Sequence, residues 1–278
     1  MNLQNNIRIG YRWLGTAGIE LGINGQSLLI DPYVTRLPWY QMFFHRVQPN
    51  LGLVKKIIAS GNQILISHAH VDHLLDVPVV VEHTGAAVYG SQNTCWLLRR
   101  LGVAEAKIHP IEAGDCLFLA PYRVTVFSAR HPRVPFFMPG SIPEHWQPPF
   151  TARQYRMESC LSFLIEVGGR QILIEGGKRT TPFIRADVLI ISPFYNAAYY
   201  KRLLSDVHPK WIIPNHWDNF MAPLPLNDRQ TFPVDGISSL IARFVLPRFI
   251  HTVNEYAPGG RVLIPQLFRT YDLAASTH

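Results

Sequence analysis

Apolar residues at the start of the chain occur in short runs that are separated by turn-forming residues. Three such runs come first, at residues 7–14, 19–24 and 27–30. Asn24-Gly25 between the second and third runs is a strong signal for a β-hairpin. Asp31 and Pro32 end the third run, because a proline cannot continue the hydrogen-bond ladder of a sheet. The pattern therefore predicts three strands, followed by an apolar loop or lid over residues 33–44.

Farther along the chain, apolar runs of strand length alternate with segments that have a helical pattern. Strands are predicted at residues 63–67, 86–90, 116–120, 122–129, 160–167, 171–175, 186–192, 211–214 and 261–265. Helices are predicted at residues 74–81, 93–101, 196–206 and 235–255, the last with Pro247 inside it. Residues 132–150 hold six prolines, which favours a long irregular loop.

The order of these elements is repeated in the two halves of the chain. Each half begins with a hairpin and continues with strands that alternate with helices. Two halves of this kind can pack sheet against sheet with their helices outside. We therefore expect an α/β fold, an αββα four-layer sandwich, formed as one domain over residues 1–278.

Metal-ligating side chains cluster directly after the predicted strand at 63–67, where the sequence is His-Ala-His-Val-Asp-His. His68 and His70 are two residues apart on an extended segment, so both imidazoles point the same way. Asp72 and His73 follow where the chain turns into a helix, and can face a second point nearby. Imidazole nitrogens and carboxylate oxygens are the usual ligands of Zn²⁺ and similar ions. The cluster therefore predicts a divalent metal site.

The His-x-His-x-Asp-His motif after a buried strand resembles the metallo-β-lactamase superfamily, and the resemblance extends over nearly the whole chain. Residues 13–32 resemble that superfamily's first hairpin and its Asp-Pro corner. His131 in SARHP and His216 in PNHWDNF each follow a strand, as the later histidines of the family do. The late His-Trp-Asp pattern is most similar to the branch with ascorbate-6-phosphate lactonase and N-acylphosphatidylethanolamine phospholipase D.

The resemblance implies two metal sites in an αββα sandwich. One site would be formed by His68, His70 and His131, and the other by Asp72, His73 and His216, with Asp72 also taking part in catalysis. One or two divalent ions are implied, zinc first, with manganese or iron as alternatives.

The chain departs from the family pattern at one position. In the family a further aspartate after a strand commonly bridges both ions, but Gly177 stands at that position in the segment LIEGGKR. Glu175 is a candidate to replace that aspartate. Alternatively, Glu175 is simply a glutamate at the end of a strand with its side chain in solvent. Asp31 and Asp218 are candidates for orienting a ligand imidazole by a hydrogen bond, and each could instead be a simple turn residue. If the backbone tolerates it, Gly177→Asp would raise the affinity for the second metal.

The activity implied is that of a metal-dependent hydrolase, in which a metal-bound hydroxide attacks an ester, a lactone or a phosphodiester. A nucleic-acid phosphodiesterase is an alternative, because the fold also serves RNA processing. Gly177 leaves open a non-catalytic metal-binding protein, and the fold also leaves open a redox diiron role.

Two apolar segments, residues 33–44 and 132–150, are the only indications of the substrate. The second begins directly after His131, so Phe136, Phe137 and Trp146 are predicted to contact an apolar group of a small-molecule substrate. The alternative is that both segments cover the core or a dimer interface, and a homo-oligomer is left open.

Composition and charge add little to this interpretation. Lys and Arg number 26 against 19 Asp and Glu, which gives a net charge of +7. These charges are scattered without a run of cations, so nucleic acid is not favoured as a partner. The three cysteines are far apart, which predicts core packing in a reducing compartment. No apolar run approaches the roughly 20 residues of a transmembrane helix, and the start lacks a secretory pattern, so a cytoplasmic location is expected.

Overall fold

The computed structural model describes residues 8–132, 138–180, 184–224 and 236–274, with the backbone alone for 236–242. Its first sheet starts with β1 (Gly10–Gly15), β2 (Gly18–Ile23), β3 (Gln26–Ile30), β4 (Gln63–Leu65), β5 (Ala87–Gly90) and β6 (Ile108–Pro110). The first three strands are antiparallel, and from β3 to β6 the strands are parallel. The predicted opening hairpins are therefore present.

The second sheet repeats this order. It contains β7 (Cys116–Leu119), β8 (Tyr122–Arg130), β9 (Cys160–Val167), β10 (Arg170–Ile174), β11 (Lys178–Arg179), β12 (Val188–Ile191), β13 (Trp211–Pro214) and β14 (Arg261–Val262). The strands β8, β9 and β10 pair antiparallel. From β10 onward the pairing is parallel, with β12, β13 and β14 in that order. The last strand, β15 (Thr270–Asp272), returns to the first sheet and pairs with β1.

Helices are distributed over both halves of the described chain. They are α1 (Trp39–Phe44), α2 (Leu51–Ile57), α3 (Val71–Leu74), α4 (Val77–Thr84), α5 (Gln92–Arg100), α6 (Ala197–Val207) and α7 (Gly236–Tyr256). Short 3-10 turns lie at Glu105–Lys107 and Ala152–Gln154. Within the described part of the chain, no helix is both long and apolar enough to cross a bilayer.

Side-chain alternation along the strands divides the core into three layers. Leu28 of β3 lies in the cluster between the two sheets, whereas its neighbour Leu29 belongs to the cluster formed with helices α2, α4 and α5. In β10, Ile174 faces the inner cluster and Leu173 faces the cluster formed with α6 and α7. Successive residues of a strand point to opposite faces of the sheet. The layers are therefore helices, sheet, sheet and helices, which confirms the αββα sandwich.

The predicted loop at 33–44 is confirmed for residues 33–38, which have no regular secondary structure, and wrong for residues 39–44, which are helical. Tyr33, Val34 and Leu37 are buried in the outer core of the first sheet, and residues 39–44 form α1. Aromatic content alone does not distinguish a loop from core, and in this segment Tyr33 is buried whereas Trp39 and Phe44 are exposed. Pro38 precedes the helix, where a proline is compatible with helix initiation.

The predicted helix at 74–81 corresponds to two helices, α3 and α4. Pro78 lies in the first turn of α4, where its missing N–H would have no intrahelical partner anyway. The proline therefore lies at the start of a helix and does not interrupt one. Gly85 directly follows α4, and its φ of 74° is the left-handed conformation that glycine adopts readily.

Smaller differences concern the ends of the chain and one cysteine. The final predicted strand at 261–265 is confined to two residues in β14, and the sequence pattern missed α2, β6 and β15. Cys95 and Cys160 are buried as expected, but Cys116 is exposed on β7, which is an edge strand with one solvent-facing side. The prediction of core packing for all three cysteines is therefore wrong for Cys116.

Candidate metal centre

Side chains from separate segments meet at one edge of the sandwich, where several strands end. His68 follows β4, His131 directly follows β8, and His216 follows β13. His70 is the residue before α3, and Asp72 and His73 lie within its single turn. The carboxyl ends of parallel strands in an α/β sheet are a common place for ligand sites. The six residues predicted from the sequence are therefore brought together.

These six side chains form two groups of three. The potential ligand atoms of His68, His70 and His131 lie within 4.8 Å of one another, and the same holds for Asp72, His73 and His216. The groups are adjacent, because the ring centroids of His68 and His73 are 3.9 Å apart. This division between the groups is the one that the family resemblance implied.

Asp31 and Ser67 lie behind two of the imidazoles. The Ser67 hydroxyl donates to the Asp31 carboxylate over 2.5 Å, and that carboxylate lies 2.9 Å from Nδ1 of His73. Ser67 Oγ also lies 3.0 Å from Nδ1 of His68. Because the hydroxyl proton goes to Asp31, the Ser67 oxygen accepts a hydrogen bond from Nδ1–H of His68. Both rings then direct the lone pair of Nε2 into the site.

Two other contacts bear on whether a metal fits these residues. Nδ1 of His131 donates to the Pro132 carbonyl over 2.6 Å, so its Nε2 also has a lone pair for the site. Nε2 of His68 is buried and has no hydrogen-bond partner among the described residues. A buried nitrogen lone pair without a partner is costly, and coordination to a divalent ion would satisfy it. The donor set therefore fits a bound divalent ion.

The first group is electrically neutral at neutral pH. Burial lowers the pKa of His68 well below its usual 6.5, and neighbouring His73 adds to the effect. Burial also lowers the pKa of His70 to about 3 and the pKa of His131 to about 4. Neutral imidazole is the form that coordinates a metal, so little proton competition is expected at these positions.

The second group supplies negative charge. Burial acts to raise the pKa of Asp72, but the imidazoles of His73 and His216 outweigh it and hold that pKa well below its usual range. Asp72 Oδ2 lies 3.2 Å from Nε2 of His216. Burial lowers the pKa of His73, yet Asp31 and Asp72 outweigh it and raise that pKa. A carboxylate with two imidazoles is a suitable ligand set for a divalent cation.

Asp218 does not contact a ligand imidazole but holds the segment that carries His216. Its carboxylate forms a buried ion pair with Arg36 and accepts the backbone N–H of Thr16 over 2.9 Å. The backbone N–H of His216 in turn donates to the Thr16 carbonyl over 2.9 Å. Thr16, Arg36 and His216 all have positive φ, at 49°, 54° and 56°. Such conformations are costly for non-glycine residues, and these bonds hold them in place.

Glu175 belongs to neither group of potential ligands. Its side chain is buried, accepts a hydrogen bond from Ser162 over 3.3 Å, and lies 3.7 Å from the Arg179 guanidinium. The alternative of a solvent-exposed strand-end glutamate is wrong, because Glu175 is 7% exposed. Its contacts with Ser162 and Arg179 also give no support to a bridging role.

Burial raises the pKa of Glu175 to about 7, although Arg179 and Ser162 oppose that shift. The carboxyl is therefore easier to protonate in the folded chain than in the unfolded chain, where its pKa is 4.5. Its contribution to stability is present below pH 4.5 and is lost as the pH rises through 7. We therefore expect the free energy of unfolding of metal-free wild type, measured with urea, to fall between pH 5 and pH 8. Relative to Glu175→Gln, the fall should be on the order of 3 kcal/mol.

Glu166→Gln, on the partly exposed end of β9, is the matched control for this measurement and should follow the wild-type profile. Parallel profiles for wild type and Glu175→Gln would contradict the assignment of a proton to buried Glu175.

Gly177 is closely packed where the family has its bridging aspartate. A Cβ at this position would lie 2.8 Å from the Arg130 carbonyl oxygen and 3.2 Å from Sγ of Cys160. The φ of Gly177 is not positive, so backbone conformation is not what requires glycine here. The requirement is space, because the atom in the way belongs to the backbone.

We therefore expect Gly177→Asp to destabilise the fold by about 1–3 kcal/mol, as overpacking does, without raising the metal content. Gly177→Ala adds the same Cβ without a carboxylate and should show a similar loss in chemical unfolding. A stable Gly177→Asp protein with more bound metal than Gly177→Ala would show that the site accepts the missing bridge.

The residues predicted to contact substrate are only partly described. Phe136 and Phe137 lie outside the described residues, so their role stays a prediction. Trp146 packs against the outer core of the first sheet, with the Arg156 guanidinium 4.8 Å from its ring centroid. Phe150 is buried in the same core. The described part of the loop therefore covers core, which was the alternative reading of this segment.

A cavity of about 800 Å³ lies between the end of this loop and α4. Its lining includes Leu75, Pro78 and Phe150 but none of the six clustered residues. The cavity therefore does not extend the candidate metal centre.

Sequence reasoning missed three residues that position the site. They are Ser67, Arg36 and Asp76. Asp76 accepts the backbone N–H groups of Val34 and Thr35 over 2.6 and 2.8 Å. Asp76 is fully buried, and burial raises its pKa to about 6. In the sequence, the signal for Asp76 is that it lies inside an apolar stretch. A charged residue in such a stretch indicates a buried group that needs hydrogen-bond or ionic partners.

Comparison with protein families gives a match over residues 26–188, more than half of the chain, to the model described as a beta-lactamase superfamily domain. The chain belongs to the beta-lactamase superfamily. This membership confirms the resemblance that the motif indicated. The narrower similarity to the lactonase and phospholipase D branch stays a prediction.

Curated relatives of this superfamily member share part of its length. A UPF0173 metal-dependent hydrolase of Sinorhizobium medicae is 29% identical over 120 residues, which are 43% of this chain and 47% of the relative. That match spans about half of the relative's length. A protein of the same description from Polynucleobacter asymbioticus is 26% identical over 218 residues, 74% of this chain and 73% of the relative.

The solved structure of a metallo hydrolase from the archaeon Ignicoccus hospitalis aligns with this superfamily member at a TM-score of 0.59 and 14% identity. The alignment covers 95% of this chain and 98% of the other. At this identity the similarity supports the fold alone.

Proposed function

We propose that the protein is a metal-dependent hydrolase. The observation that carries this proposal is the pair of adjacent three-residue groups, in which each set of ligand atoms fits within 4.8 Å. His68, His70 and His131 would hold one divalent ion, and Asp72, His73 and His216 would hold the second. The description of the curated relatives as metal-dependent hydrolases supports the same class of activity.

When bound, divalent ions supply Lewis acidity and a water nucleophile that is available at neutral pH. The chain's own residues fix the geometry around them. Asp31 holds His73 directly and His68 through Ser67, so both rings keep one orientation and one tautomer. Asp72 stays ionised, because the imidazoles of His73 and His216 hold its pKa well below the usual range, and it is the catalytic carboxylate of the proposal.

We propose esters, lactones and phosphodiesters as substrates, because all three have an electrophilic centre with an oxygen leaving group. Zinc is the first choice of metal for an imidazole-rich set, with manganese and iron as alternatives. The free cysteines Cys95, Cys116 and Cys160 fit a reducing compartment, so the cytoplasm is the proposed location.

The test is metal analysis of protein purified without chelator, combined with turnover on a panel of ester, lactone, phosphodiester and RNA substrates. We expect bound divalent metal and hydrolysis of one small-molecule class, with both removed by chelator and restored by the metal. Turnover of RNA alone would overturn the small-molecule assignment in favour of the nucleic-acid phosphodiesterase.

A non-catalytic metal-binding protein is the second candidate. The close packing around Gly177 favours it, because no described carboxylate takes the place of the bridging aspartate. Full metal content without turnover on any member of the panel would decide for this candidate.

A further inference from the structure

Helix α1 presents large aromatic side chains to solvent. Trp39 is 61% exposed, Tyr40 47% and Phe44 73%, whereas Met42 is buried and anchors the helix to the core. The ring of Trp39 packs edge-on against Tyr40 and Phe44, at centroid distances of 6.1 and 6.3 Å. These three side chains form one contiguous cluster, which we call the aromatic face.

Exposed clusters of this kind mark surfaces that are covered in use. Leaving a large apolar side chain in water forgoes the free energy that its burial would provide. Trp and Tyr combine an apolar ring with a polar group, and they are enriched where proteins meet the boundary between lipid and water. The composition of the aromatic face therefore fits a lipid interface.

The segment that carries the aromatic face has cationic residues but no acidic ones. Residues 32–71 contain no Asp or Glu, and their cations are Arg36, Arg46, Lys55 and Lys56. Arg36 is buried in its ion pair with Asp218, but the other three cations are exposed. Cations near an aromatic, apolar surface complement the anionic headgroups of a bilayer.

We propose that the aromatic face docks the protein onto the surface of an anionic lipid bilayer. The described helices are not of the kind that spans a membrane, so the contact is peripheral. The aromatic face belongs to residues 32–67, and this stretch of chain lies between Asp31 and His68 of the candidate metal centre. The proposal does not depend on the hydrolase activity.

Single-stranded nucleic acid also combines aromatic and cationic contacts, but it needs free ring faces on which bases can stack. In the aromatic face the rings pack edge to face with one another. Leu51, which is exposed at the start of the cationic helix α2, offers no stacking surface. These features favour lipid over nucleic acid.

The experiment is co-sedimentation of the full chain with vesicles of phosphatidylglycerol and phosphatidylcholine in equal parts, and with vesicles of phosphatidylcholine alone. Wild type should partition about tenfold or more in favour of the anionic vesicles, with binding that weakens as salt rises. The double variant Trp39→Ser/Phe44→Ser should lose about tenfold or more in binding. Phe118→Ser is the matched control, because Phe118 is 85% exposed on β7.

The charge contribution is tested with Lys55→Glu/Lys56→Glu, which should lower binding to anionic vesicles by about tenfold or more. Lys201→Glu, on the exposed side of α6, is its control and should bind as wild type does. Thermal melting checks that each variant is folded.

Any of four results would overturn the proposal. The first is equal binding of wild type to both kinds of vesicle, or no binding. The second is an aromatic variant that binds as well as Phe118→Ser does. The third is a dimer in light scattering that Trp39→Ser/Phe44→Ser dissociates, which would assign the aromatic face to a second copy of the chain. Binding of an oligonucleotide that Trp39→Ser/Phe44→Ser abolishes would likewise replace lipid by nucleic acid.

Discussion

His70→Ala is expected to remove most of the bound metal and to lower kcat/KM at least about a hundredfold, since losing one ligand exceeds the 10–100-fold cost of losing a residue that only supports a ligand. The physical reason is that His70 belongs to a compact three-imidazole group in which the remaining two nitrogens form an incomplete site. Metal content by mass spectrometry and initial rates on the best panel substrate are the measurements.

His83→Ala is the matched control for this variant. His83 is exposed in the last turn of α4, outside both groups of potential ligands, so its removal should leave metal content and rate unchanged. A His70→Ala protein with wild-type metal content would contradict the assignment of the first group.

Asp218→Leu is expected to destabilise the protein by about 3–5 kcal/mol, because it leaves the buried Arg36 guanidinium without its ionic partner. It also removes the carboxylate that accepts the backbone N–H of Thr16. The carbonyl of the same residue accepts the backbone N–H of His216 and so holds that residue in place. Urea unfolding should therefore show a large loss of stability, and the metal content should fall because His216 is no longer held in place.

Two variants make this result interpretable. Arg36→Met/Asp218→Leu removes both charges and should regain much of the stability but not the metal, because the support of His216 is still missing. Glu105→Ala breaks an exposed pair with Arg99 and should leave the free energy of unfolding close to that of wild type. If Asp218→Leu lowers the free energy of unfolding no more than Glu105→Ala does, the buried Arg36–Asp218 pair does not stabilise the fold as proposed.

The candidate metal centre could be predicted because its signal is local. His68, His70, Asp72 and His73 fall within six residues, and their spacing on an extended segment and a helical turn already divides them between two points. His131 and His216 are far away in sequence, and only the resemblance to the metallo-β-lactamase superfamily, whose later histidines also follow strands, connected them to the cluster. The αββα order of strands and helices could be predicted for the same reason, since each hairpin and each βα unit is read from a short window.

The residues that support the centre could not be found in this way. Arg36 and Asp218 are 182 positions apart, and nothing in either local sequence indicates that they form an ion pair. The packing at Gly177 depends on the Arg130 carbonyl and on Cys160, which two other strand ends supply. Contacts of this kind arise from the fold as a whole, so a sequence window does not contain them.

The most direct test of the central claim is the metal content per chain of wild type, His131→Ala, His216→Ala and the double variant, all purified without chelator. The two single variants each remove one ligand from a different group. We expect each of them to hold less metal than wild type, and the double variant to hold about a tenth of it or less. A double variant with the same metal content as wild type would show that these two groups do not bind the metal.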